Sequence, residues 1–343
     1  MRTSSAFAFL FLPILPTVAG AQWTYASSPT QAELRGLSVA SNRVAWASGT
    51  RGTVLRTTDG GRSWFADTVP GASALDFRAI HAFNEGAALT ASAGEAEKGL
   101  AKIYATGDAG RHWSLAYSTD QKGVFLDAIA FWDVKKGIAL SDPVDGRFFI
   151  LTTSDGGASW NRIAPELLPP VLPGEAAFAA SGSSLVVLPG GHVWIGTGGG
   201  GRGRVMHSTD FGRTWMVADT PVHADGPASG IFSLSFADPQ HGIAVGGDYT
   251  KPRLAAKTVA LTRDGGRTWV PASKPPDAYL SGVAFAGGAR VVAVGLAGTY
   301  VSRDSGQTWT RTDTTAMNSV RFSGRAGIAI GPRGRIAWTD SIP

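Results

Sequence analysis

The chain has 343 residues, 43% hydrophobic and 17% charged, with 45 glycines, 11 tryptophans and no cysteine. This composition suits a sizeable core of short strands and tight turns; it excludes a disordered chain, a disulfide framework, a thiolate metal site and a cysteine nucleophile. The net charge of +5 falls short of the dense basic stripe of a nucleic-acid binder, so nucleic acid is not an expected partner.

In chain order, residues 1–21 read as an export signal. Arg2 supplies a positive start, 6–15 is an apolar run, and Ala19-Gly20-Ala21 is a small-x-small cleavage site. The run is too short to span a bilayer, and Pro13 interrupts it. Cleavage after Ala21 predicts a periplasmic or secreted mature chain of 322 residues with no transmembrane segment.

An octapeptide then recurs six times. It reads TTDGGRSW at 57–64, TGDAGRHW at 106–113, TSDGGASW at 153–160, STDFGRTW at 208–215, TRDGGRTW at 262–269 and SRDSGQTW at 302–309. The shared pattern is [ST]-x-D-x-G-x-[STH]-W. Its invariant acids and indoles are Asp59 and Trp64, Asp108 and Trp113, Asp155 and Trp160, Asp210 and Trp215, Asp264 and Trp269, and Asp304 and Trp309. Successive aspartates lie 40 to 55 residues apart, the period of four-stranded propeller blades.

Short apolar segments keep the same rhythm. First strands are expected at 80–83, 128–131, 232–236 and 283–285. Second strands are expected at 43–47, 137–140, 242–245 and 290–294, and third strands at 53–56, 148–152 and 258–261. The octapeptide is then the hairpin into the outermost strand. Asp accepts N–H bonds from its own turn, Gly permits positive φ, and Trp packs beneath. A structural role for these acids outweighs catalysis or calcium binding, because six equivalent catalytic sites make no sense and calcium needs more oxygens per site.

After the sixth copy, 319–322, 326–330 and 335–338 repeat three inner strands. The expectation is that the N-terminus supplies the missing outer strand, with Trp23 completing a box begun by Asp340. The predicted fold is therefore all-β: a single seven-bladed β-propeller over 22–343, its ring closed by an N-terminal strand in the last blade.

The octapeptide resembles the Asp-box, or BNR repeat, of sialidases and sortilin-type receptors. The whole unit, including KKGIALSD and GRFFILTTSDGGASW, is similar to the Ycf48/HCF136-like photosystem II assembly-factor family. That resemblance implies an exported, non-catalytic propeller without a cofactor, binding a protein partner in a membrane-protein complex; a monomer is expected.

Propeller function usually sits on the face opposite the boxes. Its loops are expected at 49–52, 91–100, 142–147, 198–204, 247–257, 296–298 and 332–334, with Arg35, Arg78, Asp127, Phe232, Ser281 and Asn318 at the channel mouth. Arg51, Arg78, Arg147, Arg202, Arg204, Arg253 and Arg333 are candidates for one basic patch that meets the partner, since Arg recognises carboxylates and phosphates. Scattered solvated arginines are the competing reading.

The glycine-rich run at 198–204 lacks the Lys-Ser/Thr of a phosphate loop and reads as a flexible connection. The six histidines have no metal-site spacing, and His112 sits inside a box. The alternative to a binding protein is a glycan-binding or glycoside-hydrolase propeller. The Arg-Ile-Pro motif of sialidases is missing, but Asp127, Asp142, Asp145 and Asp248 lie on the expected face for a two-carboxylate mechanism.

Overall fold

The computed structural model describes residues 23–342; the expected export signal lies outside the described residues. Seven four-stranded antiparallel sheets are arranged as blades. Blade 1 occupies 34–68, blade 2 77–118, blade 3 126–162, blade 4 185–220, blade 5 229–271 and blade 6 282–313. Blade 7 takes Ser319–Ser323, Ala326–Ile330 and Ile336–Thr339 from the end of the chain and Thr24–Tyr25 from its beginning. Thr24 pairs with Trp338 and Tyr25 with Ala337, so the two chain ends close the ring as expected.

Each box is built as its residue types require. In blade 1 the Thr57 hydroxyl donates to Asp59 Oδ1 at 2.8 Å and accepts the Gly61 N–H at 3.0 Å. Asp59 accepts the Ser63 N–H at 2.9 Å and the Ser63 hydroxyl at 2.5 Å. The Trp64 indole N–H donates back to the Gly61 carbonyl at 3.0 Å. The second glycine is invariant because its φ is +92° at Gly61 and +82° at Gly212, and a side chain at Gly61 would press on Ile328 of blade 7. The residue before it is also left-handed but nearer +60°, a region L-residues can enter. Ala109, Phe211 and Ser305 do so.

The box tryptophans fill the seams between blades. Trp64 packs with Ile328, Ile330 and Ile336 of blade 7, and Trp309 with Ile243 and Leu261 of blade 5. Trp113 lies edge-on to Trp46 of blade 1 at 6.2 Å, and its N–H has no acceptor.

The seventh box requires a correction. Thr339 pairs with Gly327 as Thr57 pairs with Ala45, so the residue in the Asp59 position is Ser341, and Asp340 falls one residue short. Thr339 donates to the Ser341 carbonyl, and Asp340 instead accepts two bonds from Arg62 of the first box, at 2.7 and 2.9 Å. Trp23 does keep the packing half of the expected role. It lies 7% exposed in the seam with Val292, Val294 and Val301 of blade 6. Its N–H donates to Thr299 Oγ1 of that blade at 3.2 Å rather than to a box glycine. Closure needs strand pairing and a buried indole; the acidic turn is dispensable there.

Candidate functional site

The innermost strands carry a recurring irregularity at one end. The pairing register shifts between Leu34 and Gly36, Phe77 and Ala79, Leu126 and Ala128, and Ile231 and Ser233. The residues inside these bulges are Arg35, Arg78, Asp127 and Phe232. A bulge leaves one residue unpaired and re-aims its side chain. Here it turns two arginines, an aspartate and a phenylalanine into the channel mouth, where all four line one cavity of about 360 Å³. Asn318 occupies the matching place in blade 7 and lines it too. Ser281, the blade 6 equivalent, is buried and accepts a hydrogen bond through its carbonyl instead.

The floor of this cup comes from a segment that sequence reasoning missed. Residues 163–184 connect blade 3 to blade 4, and Ala177, Phe178, Ala179 and Ala180 line the cavity. Ser181 donates to the Ser281 carbonyl of blade 6 at 2.6 Å, and Ser183 donates to the Ser233 hydroxyl of blade 5 at 2.8 Å. Arg35 of blade 1 donates to the Ala180 carbonyl at 3.4 Å. A side chain added at Gly182 would strike the backbone of Arg78 and Ala79 in blade 2. The segment thus touches blades on several sides of the axis and plugs the channel. The only trace in the sequence is the 55-residue gap between Asp155 and Asp210, filled with Pro, Ala, Gly and Ser.

Glu175 anchors the plug. It is 4% exposed and accepts bonds from the Thr197 hydroxyl at 2.6 Å, the Leu172 N–H at 2.8 Å and Arg204 Nε at 2.9 Å. Arg204 Nη2 also pairs with its other oxygen.

The candidate arginines do not all line one cavity. Arg78 lines the cup, with its Nε on Asp76 at 2.7 Å. Arg204 is committed to Glu175, its side chain 12% exposed. Arg202 pairs with Asp219 at 2.7 Å beside a separate cavity of about 260 Å³. Arg147, Arg253 and Arg333 line neither cavity, and Arg51 and Arg333 sit exposed at left-handed hairpin tips.

The candidate carboxylates separate as well. Asp145 is exposed at a hairpin tip, and Asp248 holds the Thr250 hydroxyl at 2.6 Å. Asp127 and Asp142 line the cup together. Burial pushes Asp142 up to about 6, against the pull of the Ala177 N–H it accepts at 3.0 Å. Asp127 is 1% exposed; burial and the neighbouring Asp142 charge raise its carboxyl well above the usual range, against the opposing pull of Arg78. Part of the wall is aromatic. Phe178 stacks on Phe232 at 4.0 Å, Tyr279 meets Phe232 edge-on at 4.8 Å, and Tyr249 borders both.

Among the described residues no cluster of three or more His, Asp or Glu side chains is placed to hold a metal ion. His112 Nδ1 lies 2.6 Å from Asp108 Oδ2, in the place of the box Ser or Thr. No helix among the described residues is long and apolar enough to cross a membrane.

No family model and no curated protein sequence matches the chain. Solved structures do. One described as Ycf48 bound to D1 peptide superimposes with a TM-score of 0.63 at 16% identity, covering 97% of this chain and 100% of that one. Ycf48 from Cyanidioschyzon merolae gives a TM-score of 0.64 at 17% identity, covering 92% and 98%. Over nearly its whole length, the chain has the seven-bladed propeller fold of the Ycf48 structures.

Proposed function

We propose that this chain is an exported, monomeric, non-catalytic propeller that binds a protein partner at its channel mouth, acting as an assembly factor for a membrane-protein complex. The observation that carries the reading is the plugged cup, a concave, largely preformed site of about 360 Å³ walled by aromatic rings and a few polar groups. A propeller of the same fold was solved with a D1 peptide bound, which supports a polypeptide ligand. The export-like pattern of residues 1–21 supports action outside the cytoplasm.

The test is capture from detergent-solubilised membranes by the tagged full chain. Leu296→Asp alters the rim of the cup, whereas Leu167→Asp alters an exposed residue near the boxes. Loss of the partner with Leu296→Asp and retention with Leu167→Asp is expected. Equal recovery with both removes the channel mouth from the reading.

One observation favours a second reading. Asp127 and Asp142 share the cup, and burial raises both carboxyls, which suits one of them to the general-acid role of glycoside hydrolysis. That reading predicts glycan turnover abolished by Asp142→Asn; a broad glycoside screen without turnover removes it.

A further inference from the structure

The cup carries unequal commitments of charge. Its two arginines already have acidic partners, although Arg35 Nε is left without an acceptor: Arg78 holds Asp76 at 2.7 Å, and Arg35 Nη2 holds Glu33 at 3.4 Å. Glu33 also accepts the Asn318 amide at 2.9 Å. Its two carboxyls have no such partner. Asp142 accepts only a backbone N–H, and no hydrogen bond reaches the Asp127 side chain among the described residues. Asp127 Oδ2 is buried and unpartnered in the wall of the cavity, 1% exposed as a residue. A buried polar atom left without a partner costs about 1–3 kcal/mol, so a native site that retains one calls for an explanation.

The aromatic wall supplies the other half. Phe178, Phe232, Tyr249 and Tyr279 present ring faces and edges to the same space. Ring faces attract cations and cover an alkyl stem, and carboxyls neutralise the head group. A cup of this volume, closed beneath by the plug, takes one long side chain rather than a helix or a strand.

We infer that the channel mouth receives a lysine or arginine side chain of the partner polypeptide, its cation against Asp127 and Asp142 and its stem on the Phe178–Phe232 stack. This deepens the partner-binding reading and rests on it for the source of the side chain. It also inverts the expectation that arginines of this chain read an acidic partner. In the free protein burial raises both carboxyls, and the Asp142 charge raises Asp127 further; an incoming cation stabilises their ionised forms. The other charged or titratable groups facing the cup are Arg35, Arg78, Tyr249 and Tyr279, with Glu33 and Asp76 behind the arginines; no histidine lines it.

Calorimetric titration of the full chain with acetylated, amidated Gly-Gly-Gly-X-Gly-Gly-Gly peptides tests this. Lys and Arg at X should bind at least tenfold more tightly than norleucine, and Glu should not bind. The Lys peptide should gain about tenfold between pH 5 and pH 7 as Asp142 ionises. Asp142→Asn and Asp127→Asn should each lose the Lys preference. If Asp127→Asn fails to fold, Asp142→Asn and the pH profile of the unaltered protein still decide.

Equal binding of norleucine or Glu, or a Lys preference untouched by either variant, overturns the inference. Butylammonium binding as tightly as the Lys peptide overturns the polypeptide source. Membrane capture separates this from the broader reading. A partner still recovered by Asp142→Asn sinks the cation and spares partner binding; a carboxyl-dependent Lys preference with no recoverable partner does the reverse.

Discussion

The rim and the channel mouth use the same acidic residue to opposite ends. At the rim, Asp108 accepts the His112 N–H and the His112 ring, and these bonds hold its carboxyl down near 2. Asp264 is held to about 2 because bonds from Thr268 and Thr262 outweigh the burial that would raise it. At the mouth, Asp142 accepts one N–H and burial carries it up to about 6. A carboxylate surrounded by donors favours its charge; one that is buried with a single donor resists it. The rim spends its acids on holding turns, and the mouth leaves its acids uncommitted. Repeated residues mark structure here, and unlike residues at equivalent positions mark the candidate site.

Several experiments break or sharpen this contrast, beginning with the largest expected effects. Trp64→Ala should cost about 3–5 kcal/mol in denaturant unfolding, because a buried indole leaves the seam between blades 1 and 7. Arg204→Ala should cost a similar ~3–5 kcal/mol, since Glu175 would be left buried without its cation. That loss, measured by unfolding, also means that Arg204 variants report on the plug before they report on a partner.

The acids should then show opposite pH signatures. Asp264 is depressed from the ordinary 3.8 to about 2, so its contribution is present above pH 4 and lost as pH falls through 2. Asp264→Asn should flatten the acid limb of a melting-temperature profile. Asp142 is raised from 3.8 to about 6, so stability falls as pH rises through that window, where the unfolded chain has already released its proton. Asp142→Asn should remove that decline and melt higher than the unaltered protein at pH 8. Matching slopes for the two variants would erase the distinction between rim and mouth. The smallest effect is expected for Arg62→Ala. Its pair with Asp340 has side chains 47% and 70% exposed, and its loss should cost under about 1 kcal/mol in the same unfolding assay.

The amino-acid sequence by itself determined the propeller, its seven blades and the pairing of its two ends. A blade is a local object: each box closes through bonds among residues within eight positions, so the motif carries its own geometry. The strand rhythm identified the channel-mouth positions Arg35, Arg78, Asp127, Phe232 and Asn318 for the same reason; Ser281, expected beside them, is buried and does not line the cavity.

What those positions face was decided only in the tertiary structure. The plug at 163–184 has no repeat to announce it, and its serines find partners in blades 5 and 6, 50 and 100 residues away. The commitment of Arg204 to Glu175, the isolation of Asp127 and the displacement of the seventh box from Asp340 depend on contacts between segments distant in the chain. Charge on a residue can be read from its letter, but whether that charge is already neutralised depends on what the closed ring brings beside it.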